Sequence, residues 1–234
     1  MGSAQQYIDI FNQCRDMICK HSSALMNSKR DEAFEAFQRV GFPTKKVERY
    51  KYTDIEALFA PNYGLNLNRL DIPVNPYDAF KCDVPNMSTS LYFVVNDAFY
   101  KKALPKAELP EGVFVGSLAD FSANAAFGKV SAMYCQLADD KDAITSLNTM
   151  LAQDALLIYF PKGVKVDRTL QVINILRSDV DLMVNRRVLI YLEDRADARI
   201  LFCDHAADDR NFLTTQVVEV MVGDGAHLDM TCLE

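Results

Sequence analysis

Cys203-Asp204-His205 is the densest run of metal-binding side chains in the sequence. On a strand, residues two apart point to the same side, so Cys203 and His205 would share a face. Thiolate and imidazole are ligands for zinc, iron or an iron–sulfur cluster. Cys203 and His205 are therefore the candidate metal ligands. His227 and Cys232 follow, but they differ by an odd number of residues, and a regular strand aims them at opposite faces. The competing reading is two core-facing thiols and two surface histidines.

Other constellations carry less. Asp179 with Asp181, and Asp208 with Asp209, supply the paired carboxylates that glycan cleavage needs. Both pairs sit in polar, turn-like stretches, where solvated charge is the default. Gly128-Lys129-Val130 lacks the preceding glycine-rich loop and the Ser/Thr of a phosphate loop. No G-x-S-x-G nucleophile elbow occurs. No catalytic residue is assigned, and the chain is not expected to be an enzyme. Lys45, Lys46, Arg49 and Lys51, interleaved with Tyr50 and Tyr52, resemble a nucleic-acid stripe. They also fit a solvated basic turn with aromatic anchors beneath it. The formal charge of −7, from 25 basic and 32 acidic residues, argues against a dominant nucleic-acid role.

The elements that must position these residues fall into three regions. Residues 1–60 read as helical. Tyr7, Ile8, Phe11, Cys14 and Ile18 recur at helical spacing over 4–28, after a Ser3–Gln6 capping box. A second helix carries Ala33, Phe34, Phe37 and Val40 and ends at Gly41. Thr53 and Glu56 would cap a short helix over Ile55, Leu58 and Phe59. Residues 61–151 are a proline-broken mixed α/β connection. It holds apolar runs at 91–95 and 113–115, a turn at Asn96-Asp97, and a helix over 145–151. Residues 152–234 hold strand-length apolar runs at 156–160, 172–176, 188–192, 200–202, 217–222 and 228–232. Turn residues separate them and no long helical pattern intervenes. Val188 to Leu192 is apolar throughout, as a strand covered on both faces requires. Ile190 is expected to be fully buried. Pattern alone leaves a β-sandwich and a β-solenoid equally open.

Six cysteines, at 14, 19, 82, 135, 203 and 232, form no C-x-x-C pair. Met1 to Tyr7 shows no basic stretch leading into an apolar one. No apolar run approaches the length of a membrane span. Reduced thiols and a cytoplasmic location, with no membrane partner, are the expectation.

Gly41-Phe42-Pro43-Thr44, followed by Lys45, Glu48, Lys51, Tyr52 and Thr53, resembles the N-terminal signature of the SufB/SufD family, on its SufD branch, from SUF iron–sulfur cluster assembly. Ser146-Leu147-Asn148, Gln153-Asp154-Ala155 and Ile158-Tyr159-Phe160-Pro161-Lys162-Gly163-Val164 resemble the family's entry into its core. Asn185-Arg186-Arg187-Val188-Leu189-Ile190, then Glu219 with Gly225-Ala226, resemble later family strands. Ala155 stands where many relatives carry glycine. The motifs span about residues 30 to 234 in family order.

The resemblance implies a mainly β protein with an N-terminal helical region and a right-handed parallel β-helix core, a single-stranded β-solenoid. It implies that the chain is the N-terminal portion of a longer protein, with the core, begun at residue 152, cut at Thr231-Cys232-Leu233-Glu234. It implies a scaffold subunit that pairs with a SufB-like protein and a SufC-like ATPase. No cofactor is expected in this portion, and the resemblance leaves an iron–sulfur cluster to the full assembly. Self-association through the open end of the core is a further expectation. The competing class is a homo-oligomeric β-solenoid interaction module without metal chemistry. No family site residue is carried over.

Overall fold

The computed structural model describes residues 2–80, 89–138 and 141–233. Cys82 and Pro85 lie outside the described residues. The chain opens with helices α1 (Ser3–Lys20), α2 (Ala24–Asn27), α3 (Arg30–Val40), α4 (Ile55–Phe59) and α5 (Pro76–Ala79). Strands β1 (Thr89–Val95), β2 (Ala98–Phe99) and β3 (Phe114–Ser117) follow, then α6 (Phe127–Met133) and α7 (Ala143–Leu151). The remainder is β4 (Leu156–Phe160), β5 (Thr169–Leu176), β6 (Leu182–Leu192), β7 (Asp197–Ala206), β8 (Phe212–Val222) and β9 (His227–Leu233).

Local chemistry explains most boundaries, with some shifts. The helix expected over 4–28 breaks after Lys20, and Ser23 caps α2 through Met26 N. Gly2 stands at the N-cap of α1 without a side-chain bond, in place of the Ser3 capping box. Asp54, not Thr53, caps α4 through Ala57 N. Gly41 ends α3 at φ 64°, a conformation that costs glycine nothing.

The strands form two sheets. One runs β2-β1-β5-β7-β9 and the other β3-β4-β6-β8. β2 and β3 pair antiparallel at the head of their sheets, and the remaining pairs are parallel. Between the sheets lies a core of Leu156, Ile158, Phe160, Val188, Ile190 and Leu192 against Tyr92, Val94, Leu170, Val172, Ile200 and Phe202. Ile190 is fully buried, as its apolar strand required.

This is an α/β fold, and it corrects the expectation of a mainly β, right-handed parallel β-helix. Both sheets are mixed, and helices and strands are nearly equal at 29% and 30% of residues. The physical reason lies before residue 152. β1 supplies a full-length parallel partner for β5, and short β2 and β3 add the antiparallel pairs. Helices then cover an outer sheet face. Leu157, Tyr159 and Leu189 pack beneath Phe121, Val130, Met133 and Tyr134. Tyr7, Phe11, Ile18, Phe37, Leu147 and Met150 form a second core that reaches Met183 on β6. Covering both faces of β6 accounts for its unbroken apolar run.

Candidate functional site

β7 places Cys203 and His205 on one face, the outer face of the five-stranded sheet, beside Ile173 and Ile175 of β5. Cys203 is buried, and the Gln171 amide donates to its Sγ at 3.4 Å. The Phe80 ring meets the His205 ring edge-on at 5.7 Å, and His205 Nε2 is buried without a hydrogen-bond partner among the described residues. The downstream pair is not brought to them. Cys232 lies opposite Phe202 and so shares the inward side. His227 lies opposite Asp197, roughly 20 Å along the strand from Cys203. Among the described residues no group of three His, Cys, Asp or Glu side chains is arranged to hold a metal ion.

The paired aspartates serve turns. Asp181 accepts from Asn211 N and Nδ2, both at 3.0 Å. Asp208 accepts from Ser178 N at 2.9 Å, from Arg210 N at 3.1 Å and from Arg177 Nη1 at 3.2 Å. These bonds hold both carboxyls below the usual carboxylate range: for Asp181 the Asn211 bonds outweigh slight desolvation, and for Asp208 the donors outweigh the opposing effect of burial. Lys129 lies within α6 and pairs with Glu193.

The most developed polar site lies elsewhere, between α3, α7 and β6. Arg187 and Glu219 form an ion pair whose side chains have no exposed surface. Their strands put both on the outer face of the four-stranded sheet, and the segment after α6 closes over them. Glu219 accepts from the backbone N–H groups of Cys135, Leu137 and Ala138 at 3.0, 3.0 and 3.3 Å. Cys135 holds φ 59° there, an uncommon state for a non-glycine residue. Arg187 also donates to Thr149 Oγ1 at 3.0 Å and Cys135 Sγ at 3.3 Å, and lies over the Tyr134 ring at 5.0 Å.

The electrostatics follow from this packing. Burial alone would raise the Glu219 carboxyl, but the Arg187 charge and the N–H donors outweigh it and hold it below the usual range. Burial pushes the Cys135 thiol up, against the opposing pull of Arg187. A cavity of about 480 Å³ opens above, lined by Lys29, Glu32, Cys135, Lys141, Thr149 and Arg187 among others. The pair thus fastens a loop to a sheet and leaves the Cys135 thiol on the cavity wall.

A second buried cation ties the helices to this region. Arg30, with no exposed surface, donates to the carbonyls of Thr149, Met150 and Ala152 at 3.3, 2.8 and 2.7 Å. It thereby satisfies carbonyls at the C-terminal end of α7, where a cation is favoured. The motif at 41–53 is anchored to the other end of α7. Asp142 Oδ2 accepts from Tyr50 Oη at 2.7 Å and from Arg49 Nη1 at 3.0 Å, while Asp142 Oδ1 caps α7 through Ile144 N and Thr145 N.

Sequence reading placed Arg187 and Glu219 in family motifs without giving them a role. The available signal was charge inside apolar strands, since such residues are rarely buried unpaired. Cys135 and Arg30 carried no comparable signal.

The family described as SufBD protein N-terminal region matches residues 1–172. That is most of the chain, which therefore belongs to the SufB/SufD family of SUF iron–sulfur cluster assembly. No curated protein sequence matches the chain. Among the described residues, no helix is long and apolar enough to cross a membrane.

Proposed function

We propose that this chain is a scaffold subunit of cytoplasmic SUF iron–sulfur cluster assembly, on the SufD side of the family. It acts with a SufB-like protein and a SufC-like ATPase and performs no catalysis of its own. The observation that carries this reading is the family match over residues 1–172. The Gly41–Thr53 motif supports the SufD branch, and the structure gives that motif an architectural task at the α7 cap. The buried charges Arg30, Arg187 and Glu219 are likewise engaged in joining elements. The cluster is cargo of the assembly in this reading.

The test is co-purification of the tagged chain with SufB-like and SufC-like proteins expressed beside it. Capture of both supports the scaffold reading. Capture of neither, with the chain folded, overturns it. Recovery of the chain only with itself would move a homo-oligomeric interaction module to the front.

A further inference from the structure

Gly223-Asp224-Gly225-Ala226 joins β8 to β9, in a turn closed by Ala226 N donating to Gly223 O at 3.1 Å. Asp224-Gly225 is the single Asp-Gly pair in the sequence. A glycine after an aspartate leaves its amide nitrogen open to the aspartate side chain, because it carries no Cβ. Asp224 and Gly225 are both exposed, and Gly225 holds φ 64°. A Cβ on Gly225 would meet nothing closer than Arg195 Cγ at 3.6 Å. Neither the Asp224 carboxylate nor the Gly225 N–H has a hydrogen-bond partner among the described residues. The neighbouring turn, Glu193-Asp194-Arg195-Ala196, supplies the contrast. It closes the same way, from Ala196 N to Glu193 O at 3.1 Å, with Arg195 at φ 60° where the other turn has Gly225. Asp194 Oδ1 accepts from Asp224 N at 3.2 Å, and its Oδ2 accepts from Lys162 Nζ at 3.3 Å. The Asp194 carboxylate is thus engaged and followed by a side chain, whereas Asp224 has neither restraint.

We propose that Asp224 is a site of spontaneous covalent modification, isomerising through a cyclic imide to a β-linked aspartate. The Gly225 nitrogen attacks the carbon of the Asp224 side-chain carboxyl. The N–H proton and a carboxyl OH leave as water, which closes a five-membered ring. Water then opens the ring at either carbonyl. One opening restores aspartate. The other routes the chain through the side-chain carbon and leaves the former main-chain carbonyl as a free carboxylate. The water released in the first step is taken up in the second, so no other reactant is consumed. The β-linked form inserts a backbone carbon between the two bonds that lace the turns, Asp224 N to Asp194 Oδ1 and Arg195 N to Asp224 O. Isomerisation therefore frees the β8–β9 turn from its neighbour. The proposal does not depend on the SUF reading, because it rests on the chemistry of this turn.

The test is to age the full chain at neutral pH and physiological temperature, folded and in denaturant. The digested peptides are then read by mass spectrometry with fragmentation that separates the two linkages. β-Linked aspartate is expected at Asp224 ahead of every other aspartate, with the imide visible as the loss of one water. The folded chain should isomerise there within a few-fold of the rate in denaturant, since nothing holds the reacting groups apart. Asp224→Glu cannot close the five-membered ring and keeps the charge. It should abolish the product with an unchanged melting curve, because this side chain is exposed. Isomerisation in denaturant but not in the folded chain overturns the proposal, because the fold then protects the turn. So does isomerisation in neither state, a first appearance at another aspartate, or undiminished product in Asp224→Glu.

Discussion

Glu219→Gln is the sharpest test of how the sheet and its covering loop are joined. The native carboxylate receives Arg187 and three backbone N–H groups in a site without exposed surface. A glutamine presents one acceptor oxygen where two stood, and its NH₂ faces donors. Arg187 then remains buried without its counter-charge. Breaking a buried pair from one side costs about 3–5 kcal/mol, a large part of a stability of roughly 5–15 kcal/mol. For a chain of this size that is a fall in Tm of roughly 6–20 °C. The assay is urea unfolding followed by circular dichroism, with calorimetry for Tm.

The pH dependence adds an independent reading of the same pair. The folded carboxyl sits below its ordinary value of 4.5. Its contribution is therefore present above about pH 4.5 and lost as pH falls through the lower folded value. Wild type should lose this increment in acid, and Glu219→Gln should lack that part of the loss. The double substitution Arg187→Met with Glu219→Gln should recover part of the stability, since it removes the unpaired buried cation and keeps an acceptor for the loop N–H groups. A Glu219→Gln protein within about 1 kcal/mol of wild type at pH 7 would refute the reasoning, because the loop would then be held by something else.

Two further substitutions test turns and burial. A Cβ on Gly223 would meet Asp194 N at 2.6 Å and Glu193 C at 2.8 Å. Because these are backbone atoms that cannot swing aside, Gly223→Ala should lower stability by about 1–3 kcal/mol in chemical unfolding. Gly128→Ala, helical and with nothing within 4 Å of its Cβ, should raise it by up to about 1 kcal/mol. Burial pushes the Asp154 carboxyl above its ordinary 3.8, despite bonds from Ser117 Oγ and Ala155 N. A raised carboxyl favours folding most at low pH and loses that benefit as pH rises through the folded value. Asp154→Asn should therefore raise Tm at pH 7, with the gain vanishing below about pH 3.8.

Local signals in the sequence carried the strands and several helices. Apolar runs ending at Pro161-Lys162-Gly163 and at Gly223-Asp224-Gly225 mark β4 and β8 without tertiary information, because strand length and turn chemistry act over a few residues. The same-side placement of Cys203 and His205 was also legible, since the pleat repeats every two residues. So was the family, from motifs that keep their order along the chain.

Pairing was not legible, because it is decided between segments far apart. β1 joins β5 across the connecting region, and β2 and β3 make both sheets mixed. Nor was the regular spacing of the later turns visible. Ser178 with Asp208, Asp181 with Asn211 and Asp194 with Asp224 each bond across 30 residues, yet their side chains differ and show no repeat. The site around Arg187 depends on tertiary structure altogether. Its ion pair lies across neighbouring strands, its thiol comes from the segment after α6, and its cavity wall comes from α3 and α7. Periodicity tells a segment which face to bury. Only the packing of distant segments decides which buried charges meet and where a cavity is left between them.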